Sequence, residues 1–529
     1  MKEVCGKIES RIITDELKNS KSNTMQSFKK SVFSFYLLVF SLNSFYLLVF
    51  SFLVFSFSLS AQTVNLSLNR TIEIASDSSL QAYSSKNQYQ ASYWAFRTYR
   101  AARLPSLNLK MTPLQYYRDI VRRYDSQNNM DIFREQQSLY SSGNLSIRQN
   151  VDLTGGTFFI DSDLGFIRNF GGDFIRSQYT SVPIRVGYSQ SLFGFNSFKW
   201  EKQIEPLKYD KATKKFLYDR EAISEVSTQY FFDLALAQTE YNMAKDYVAQ
   251  SDTFYRIGEE RFKIASISQN DLLTLQLDAL NYGISLKNAE INLKRAMSAF
   301  VSFLNMEKET NVRLELPDRP KDMNISVDDA LAHARENNPD FLSYRQDILE
   351  AEREVDRTQK NAVFDATFHA SVGFNNTAET FLNAYRKPLQ QNIVSIGLSI
   401  PLMDWGVRKG RVNMARNNLN VTKISIQQRE INLEQDIVMT VNDFNIQQDM
   451  IRRAEEALRI ANMAYNTTKE RFIIGRADLN SLTLSQNRQK EAQKNYIYSL
   501  KNYWMSYYKI RKLTLFDFER NERLRVVLN

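Results

Sequence analysis

Two periodicities divide the chain. From Leu272 onward, apolar residues recur at alternating spacings of three and four: Leu275, Ala279, Tyr282, Leu286, Ala289, Leu293, Ala296, Phe300 and Phe303. That 3.5-residue repeat holds one seam of a helix against a neighbour and predicts supercoiled helix packing. Residues ~197–257 and ~407–470 contain almost no Gly or Pro. Each is therefore expected to form one helix of roughly 90 Å at 1.5 Å per residue. Elsewhere the period is two. Leu145, Ile147, Val151 and Leu153 alternate with Ser146, Arg148, Asn150 and Asp152, and Val182, Ile184, Val186, Tyr188 and Leu192 do the same. Phe364–Phe374 and Val394–Leu402 repeat the pattern, predicting strands with one apolar and one polar face.

These textures occur twice. Arg261-Phe-Lys-Ile returns as Arg471-Phe-Ile-Ile, 210 residues on, and the same offset carries Val186–Phe193 onto Ile396–Met403. Leu234, Tyr241, Val248, Tyr255 and Phe262 map onto Phe444, Ile451, Leu458, Tyr465 and Phe472. The mate of the Leu272 seam is Leu482, Ser485, Gln489, Ala492, Tyr496, Ser499, Tyr503, Ser506, Ile510 and Leu513, in the same frame but smaller and more polar. The expected organisation is an N-terminal extension and export signal over 1–61, a first repeat over 62–310, and a second repeat with the C-terminal segment over 311–529. The stretches ~119–142 and ~154–180 have no counterpart in the second repeat. With Gly155-Gly156, Gly171-Gly172 and many polar residues they read as enlarged surface loops, with room for one added hairpin.

Strands of about ten residues, apolar on one face, suit a transmembrane barrel. Two strand pairs per chain are too few to close one, and lipid forbids open sheet edges, so the chain is expected to oligomerise. A soluble sheet edge is the competing reading of the same periodicity.

The N-terminus bears on the compartment. Lys29 and Lys30 precede an apolar run over 32–57, and Ser58, Ser60 and Ala61 follow it, a signal-peptide pattern with cleavage near Ala61/Gln62. The run contains a duplicated Ser-Phe-Tyr-Leu-Leu-Val-Phe-Ser segment and is long enough to span a bilayer, so a retained anchor is the alternative. Met25 is a candidate start. Cys5, the single cysteine, precedes the run and is not placed for lipid attachment.

Composition mainly excludes. With two His and one Cys there is no basis for a His-centred active site, a Cys/His metal site or a disulfide framework, and no metal or cofactor is expected. The net charge is +9; seven basic and four acidic residues fall in 1–61, leaving +6 for the rest. The basic residues are interspersed with acids rather than clustered with aromatics, so nucleic acid is not an expected partner.

The ordered pair of repeats resembles the TolC-like outer membrane efflux proteins over about residues 63–518. In the second repeat the likeness rests on Ser326-Val-Asp-Asp-Ala-Leu-Ala-His-Ala-Arg-Glu-Asn-Asn-Pro339, on Ser399-Ile-Pro-Leu-Met-Asp-Trp-Gly-Val-Arg408 and on Arg471-Phe-Ile-Ile-Gly-Arg-Ala-Asp478. In the first repeat it rests on Leu104-Pro-Ser-Leu107, while Asp77-Ser78-Ser79 departs from the Asn338-Pro339 of the second.

The resemblance implies an α+β membrane protein of long coiled-coil helices and amphipathic strands. Three protomers would form a 12-stranded β-barrel in the outer membrane, in contact with its lipid, on an α-helical tube in the periplasm. It implies a non-enzymatic exit duct for solutes, drugs or proteins, serving a tripartite efflux or type I secretion system. The implied partners are a periplasmic adaptor protein and an inner-membrane transporter. An exported coiled-coil adaptor or adhesion protein without a pore is the competing class.

In the family the closed periplasmic aperture is lined by acids just after the helix-to-helix turns. Asp271 falls on that position in the first repeat. Ser481 falls on it in the second, with Asp478 and Asn480 within one turn. Three copies of Asp271 would form a ring favouring cations. Helix capping explains the same residues: Ser268-Gln-Asn-Asp271 reads as a capping box and Asp478 as an N-cap. Neither His333 nor His369 has a partner that suggests chemistry. Trp200 and Trp405 adjoin the strand-to-helix junctions, where a membrane interface and core packing are equal alternatives; Trp94 and Trp504 are dispersed.

Overall fold

The computed structural model describes residues 63–170 and 175–526. Residues 65–308 and 313–526 belong to one compact unit, which holds all the elements named below; residues 63–64 and 309–312 group with the N-terminal segment in a second. The expected signal and the alternative start at Met25 lie outside the described residues.

The repeat is visible in the element boundaries. Helix α1 (Leu68–Ser78) and α2 (Leu80–Ala101) lead into four strands, β1 (Ser106–Asp125), β2 (Met130–Asn150), β3 (Thr157–Asn169) and β4 (Arg176–Ser191). Then come α3 (Ser197–Lys263) and α4 (Gln269–Phe303). The second half has α5 (Val327–Asn337), α6 (Pro339–Asn361), β5 (Asp365–Ala378), the short α7 (Phe381–Ala384) and β6 (Leu389–Ser399). It ends with α8 (Val407–Ile473) and α9 (Leu479–Thr514). Both long helices have 67 residues and begin 210 positions apart. At 1.5 Å per residue each runs about 100 Å. They overrun the expected ends near 257 and 470: Gly258 stays helical, packed against Leu275, and the chain leaves the helical path only at the left-handed residues Ala265 and Gly475.

The seam residues lie where the heptads put them. Leu275, Ala289 and Phe300 of α4 are buried, as are Leu482, Ala492, Ser499, Tyr503, Ile510 and Leu513 of α9. Helix α4 packs along α3, and α9 packs along both α8 and α3. The two halves are also pinned by charge. Arg511 donates to Glu221 of α3 at 3.1 Å and to Asp517 at 3.0 Å, with both carboxylates buried. Burial raises the Glu221 carboxyl above its ordinary range, and the Arg511 guanidinium opposes that shift.

The sheet differs from expectation in its size. Six antiparallel strands follow one another in the order β1-β2-β3-β4-β5-β6. The stretches expected as enlarged loops with room for one added hairpin are largely strand, and the addition amounts to the two strands β1 and β3. One chain therefore supplies six strands to its sheet where two strand pairs were expected. The extra strands were hidden because the outer half of β1 carries charged residues on both faces: Arg118 and Arg122 interrupt the row Leu114, Tyr116, Ile120 and Tyr124, and Gln115 and Asp119 lie opposite. That half pairs with the start of β2 through Arg118–Glu135 and Arg122–Asp131. At 20 residues, β1 is about twice the length a bilayer requires. Two expected strands end early. Val151–Leu153 turn through Gly155, at φ 77°, and β6 stops at Ser399 because Pro401 has no N–H to donate.

Cross-strand partners share a face, which lets the sheet's polarity be followed across all six strands. Leu107 faces Ile147, Ile147 faces Ile160, Ile160 faces Val186 and Val186 faces Val372. Phe368 faces Ile396 and Ala370 faces Val394. Phe368 and Ala370 are half-buried, and the others are exposed, from 37% at Ile147 to 73% at Val394. On the other face Asn108 meets Ser146, Asp161 meets Arg185, Gly187 meets Ser371 and His369 meets Ser395. There Asp161, Ser146 and Ser371 are buried. Arg185 bonds Asp161 at 3.0 Å and reaches Asp163 at 3.5 Å. Gly187 is required on this face: a Cβ would come within 2.3 Å of the Phe159 ring, which lies over the strand and stacks on His369 at 5.4 Å. Apolar outside and polar inside is the arrangement of a sheet wrapped around water and surrounded by hydrocarbon.

Lysine at Ile396, near the middle of β6 on the apolar face, is expected to cost about 2–4 kcal/mol in lipid. Ser395→Lys, one residue away on the polar face, is expected to stay within about 0.5 kcal/mol. Urea titration of the protein folded in lipid bilayers reads both.

Candidate functional site at the helix turns

The two long hairpins turn in the same way. Helix α3 closes on Ala265, at φ 55°, with the Ser266 N–H on the Arg261 carbonyl at 2.8 Å and the Ala265 N–H on that of Phe262 at 2.9 Å. Helix α8 closes on Gly475, at φ 77°, with Arg476 N–H on the Arg471 carbonyl at 2.7 Å and Gly475 N–H on that of Phe472 at 3.0 Å. Both are Schellman ends, which satisfy the last carbonyls of a helix.

The next helices start with side-chain caps. Ser268 Oγ accepts from the Asp271 N–H at 3.1 Å, and Asp271 Oδ2 accepts from the Ser268 N–H at 3.2 Å and hydroxyl at 2.8 Å. This completes the capping box read from the sequence. Asp478 is the N-cap of α9 and accepts from the Ser481 N–H at 2.6 Å. That bond holds its carboxyl below the usual carboxylate range.

The turns lie side by side. Arg261 extends from α3 to the end of α8, donating to the carbonyls of Phe472 at 2.6 Å and Ile473 at 2.9 Å, with its guanidinium 5.2 Å from the Phe472 ring. A cation at a helix C-terminus also opposes the negative end of its dipole. Beneath it Phe254, Leu275, Tyr465, Phe472 and Leu482 form a buried cluster, with Phe254 and Phe472 edge to face at 5.3 Å.

Of the expected aperture residues, Asp271, Asp478 and Ser481 line one cleft of about 910 Å³; Asn480 is exposed and is not part of its wall. The same wall contains Arg261, Arg471 and Arg476, so two aspartates share the cleft with three arginines. In the sequence Arg261 stands out only as a marker of the repeat. Its recurrence as Arg471, followed each time by Phe, was the available signal.

His333, Trp504 and Trp200 are held by packing and hydrogen bonds. His333 stacks on Phe516 at 3.9 Å, and Trp504 sits among Tyr503, Tyr507 and Tyr508. Trp200 donates to Asp356 at 2.8 Å, whereas Trp405 is 89% exposed. Among the described residues no group of three or more His, Cys, Asp or Glu could hold a metal ion, and no helix is long and apolar enough to cross a membrane.

Comparison with known proteins agrees with this architecture. Residues 330–514 match the family model described as outer membrane efflux protein. No curated protein matches the chain. Among solved structures, the CmeC outer membrane channel of Campylobacter jejuni is similar at a TM-score of 0.61 and 14% identity, covering 86% of this chain and 88% of that one. The outer membrane protein VceC of Vibrio cholerae aligns at 0.56 and 14% identity, over 84% and 95% of the two chains. The open-state MtrE outer membrane channel of Neisseria gonorrhoeae aligns at 0.54 and 10% identity, over 87% and 89%. At these identities the likeness is one of fold.

Proposed function

We propose that the chain is the outer-membrane exit duct of an export system, a passive channel and not an enzyme, on the match of residues 330–514 to the outer membrane efflux protein family and the fold shared with solved outer membrane channels. Three copies close a barrel in the outer membrane and continue it as a helical tube in the periplasm. There a periplasmic adaptor and an inner-membrane transporter supply cargo and energy, as in tripartite efflux or type I secretion.

The observation that carries this is the polarity of the six-stranded sheet, with leucines, isoleucines and valines exposed and Asp161, Arg185 and Ser371 turned inward. A coiled-coil adaptor or adhesion protein has no use for such a sheet. Three copies of six strands amount to eighteen rather than twelve, a number at which barrels enclose an aqueous channel. The domain division at 61/62 and 310/311 belongs to the same proposal: an export signal followed by two repeats.

The paired turns are the proposed periplasmic aperture, with Asp271, Asp478, Asn480 and Ser481 at or beside its lining. Capping engages the backbone-facing side of both aspartates and leaves their charge at the mouth of the cleft.

Outer-membrane fractions are expected to show a trimer band that collapses to monomer on boiling. Recovery as a soluble monomer after signal cleavage contradicts the proposal. In planar bilayers, Asp271→Ala is expected to weaken cation preference. An unchanged preference removes Asp271 from the aperture.

A further inference from the structure

The helices that adjoin the strands, α2, α3, α6 and α8, all meet them at one end of the sheet, and the β1–β2 and β5–β6 connections lie at the other. At that far end the β5–β6 connection folds back onto the sheet as α7. Ser181 of β4, 1% exposed, donates its hydroxyl to the Ala384 carbonyl. Asn376 of β5 donates to the carbonyls of Asn383 at 2.9 Å and Arg386 at 2.8 Å. Ser181 is the cross-strand partner of both Asn376 and Leu164. Leu164 shares its face of β3 with Ile160, so α7 lies on the apolar side of the sheet.

A file of rings runs across this place. Phe166 and Tyr179 are 4.9 Å apart, Tyr179 and Phe381 6.2 Å, and Phe381 and Tyr385 5.4 Å. The connection satisfies its backbone against the strands and leaves its apolar side chains outermost: Phe381 and Leu382 stand 47% and 75% exposed.

Cations border the rings. Arg386 and Lys387 follow Tyr385 directly, against one acid, Glu379, between residues 379 and 388. Arg168 lies two residues beyond Phe166 on the same face of β3, its guanidinium 5.3 Å from the Phe170 ring. All three are exposed, and among the described residues none has a side-chain hydrogen bond or ion pair. At the same end Arg118 and Arg122 are paired, with Glu135 and Asp131. Lys387 also holds φ 53°, where glycine is the default, so the backbone gives no reason for a lysine there.

Exposed apolar groups beside unpaired cations define a ligand by its chemistry: acyl chains joined to an anionic head. A guanidinium takes phosphate through two parallel hydrogen bonds, and aromatic girdles mark the headgroup level of a barrel. Opposite the periplasmic helices that level belongs to the external leaflet, whose acyl lipid is a phosphorylated glycolipid. We propose that α7 and its surroundings bind one such glycolipid per chain, with acyl chains on Phe381 and Leu382 and phosphates on Arg386, Lys387 and Arg168. The inference rests on the outer-membrane channel proposed above and adds a lipid to it.

The test is native mass spectrometry of the full-length protein in detergent, titrated with diphosphoryl lipid A, with dephosphorylated lipid A and with phosphatidylglycerol. Diphosphoryl lipid A is expected to be retained up to one molecule per chain, and the other two more weakly. At about fivefold per cation, Arg386→Ala with Lys387→Ala is expected to weaken retention about thirtyfold, and Arg168→Ala, on a separate element, about fivefold. The charge-preserving pair Arg386→Lys with Lys387→Arg is expected to restore most of it. Lys110→Ala, on the polar face, is the control and is expected to change nothing. An assembled trimer that retains the lipid equally in the alanine variants overturns the inference alone. Equal retention of dephosphorylated lipid A or of phosphatidylglycerol overturns the glycolipid phosphate as the ligand. A protein that never reaches the outer membrane overturns the proposed function with it.

Discussion

A sheet with exposed isoleucines on one face and buried aspartate on the other still has two ends, and backbone groups at those ends need partners. Here the end strands are Ser106–Asp125 and Leu389–Ser399. In water an open edge is tolerable. In hydrocarbon each unpaired N–H or C=O costs several kcal/mol, so a lipid-facing sheet must close. The polarity of the faces points to lipid, and lipid then demands closure by further copies. A helical layer built with the sheet must therefore present interfaces to those copies too. The groove between α8 and α9 and the exposed Leu277, Leu280 and Ile284 of α4 are surfaces the chain itself leaves open.

Helices and strands were legible to different degrees, for a physical reason. A heptad is a long-range pattern, and the seams Leu272–Phe303 and Leu482–Leu513 declare themselves over ten positions each. The 67-residue helices before them were placed by the scarcity of Gly and Pro, and their ends ran on to the Schellman closures at Ala265 and Gly475. Alternation is readable only where one side of the strand meets lipid. It marked Leu145–Ile147, Val182–Val186 and Phe368–Val372, and it failed where β1 and β2 extend as a ribbon with polar residues on both faces. Strand β3 was hidden as well, because Phe158 and Phe159 are adjacent aromatics on opposite faces.

At the turns, capping was legible because it is local. Ser268 with Asp271, and Asp478 with Ser481, are three residues apart and follow a known rule. The Arg261 tie was not legible, because its acceptors are backbone carbonyls more than two hundred residues away. No side-chain pattern announces a carbonyl acceptor. Its trace in the sequence is the recurrence of Arg-Phe at the ends of both long helices, which becomes informative only once one of the two is seen to be engaged.

The central claim is that lipid and copy number complete what one chain leaves open. The most direct measurement is an image of the protein in lipid nanodiscs, viewed along the barrel. The account predicts three chains around one axis and eighteen strands in the wall. A barrel closed by one chain, or a particle without a membrane-embedded wall, would contradict it.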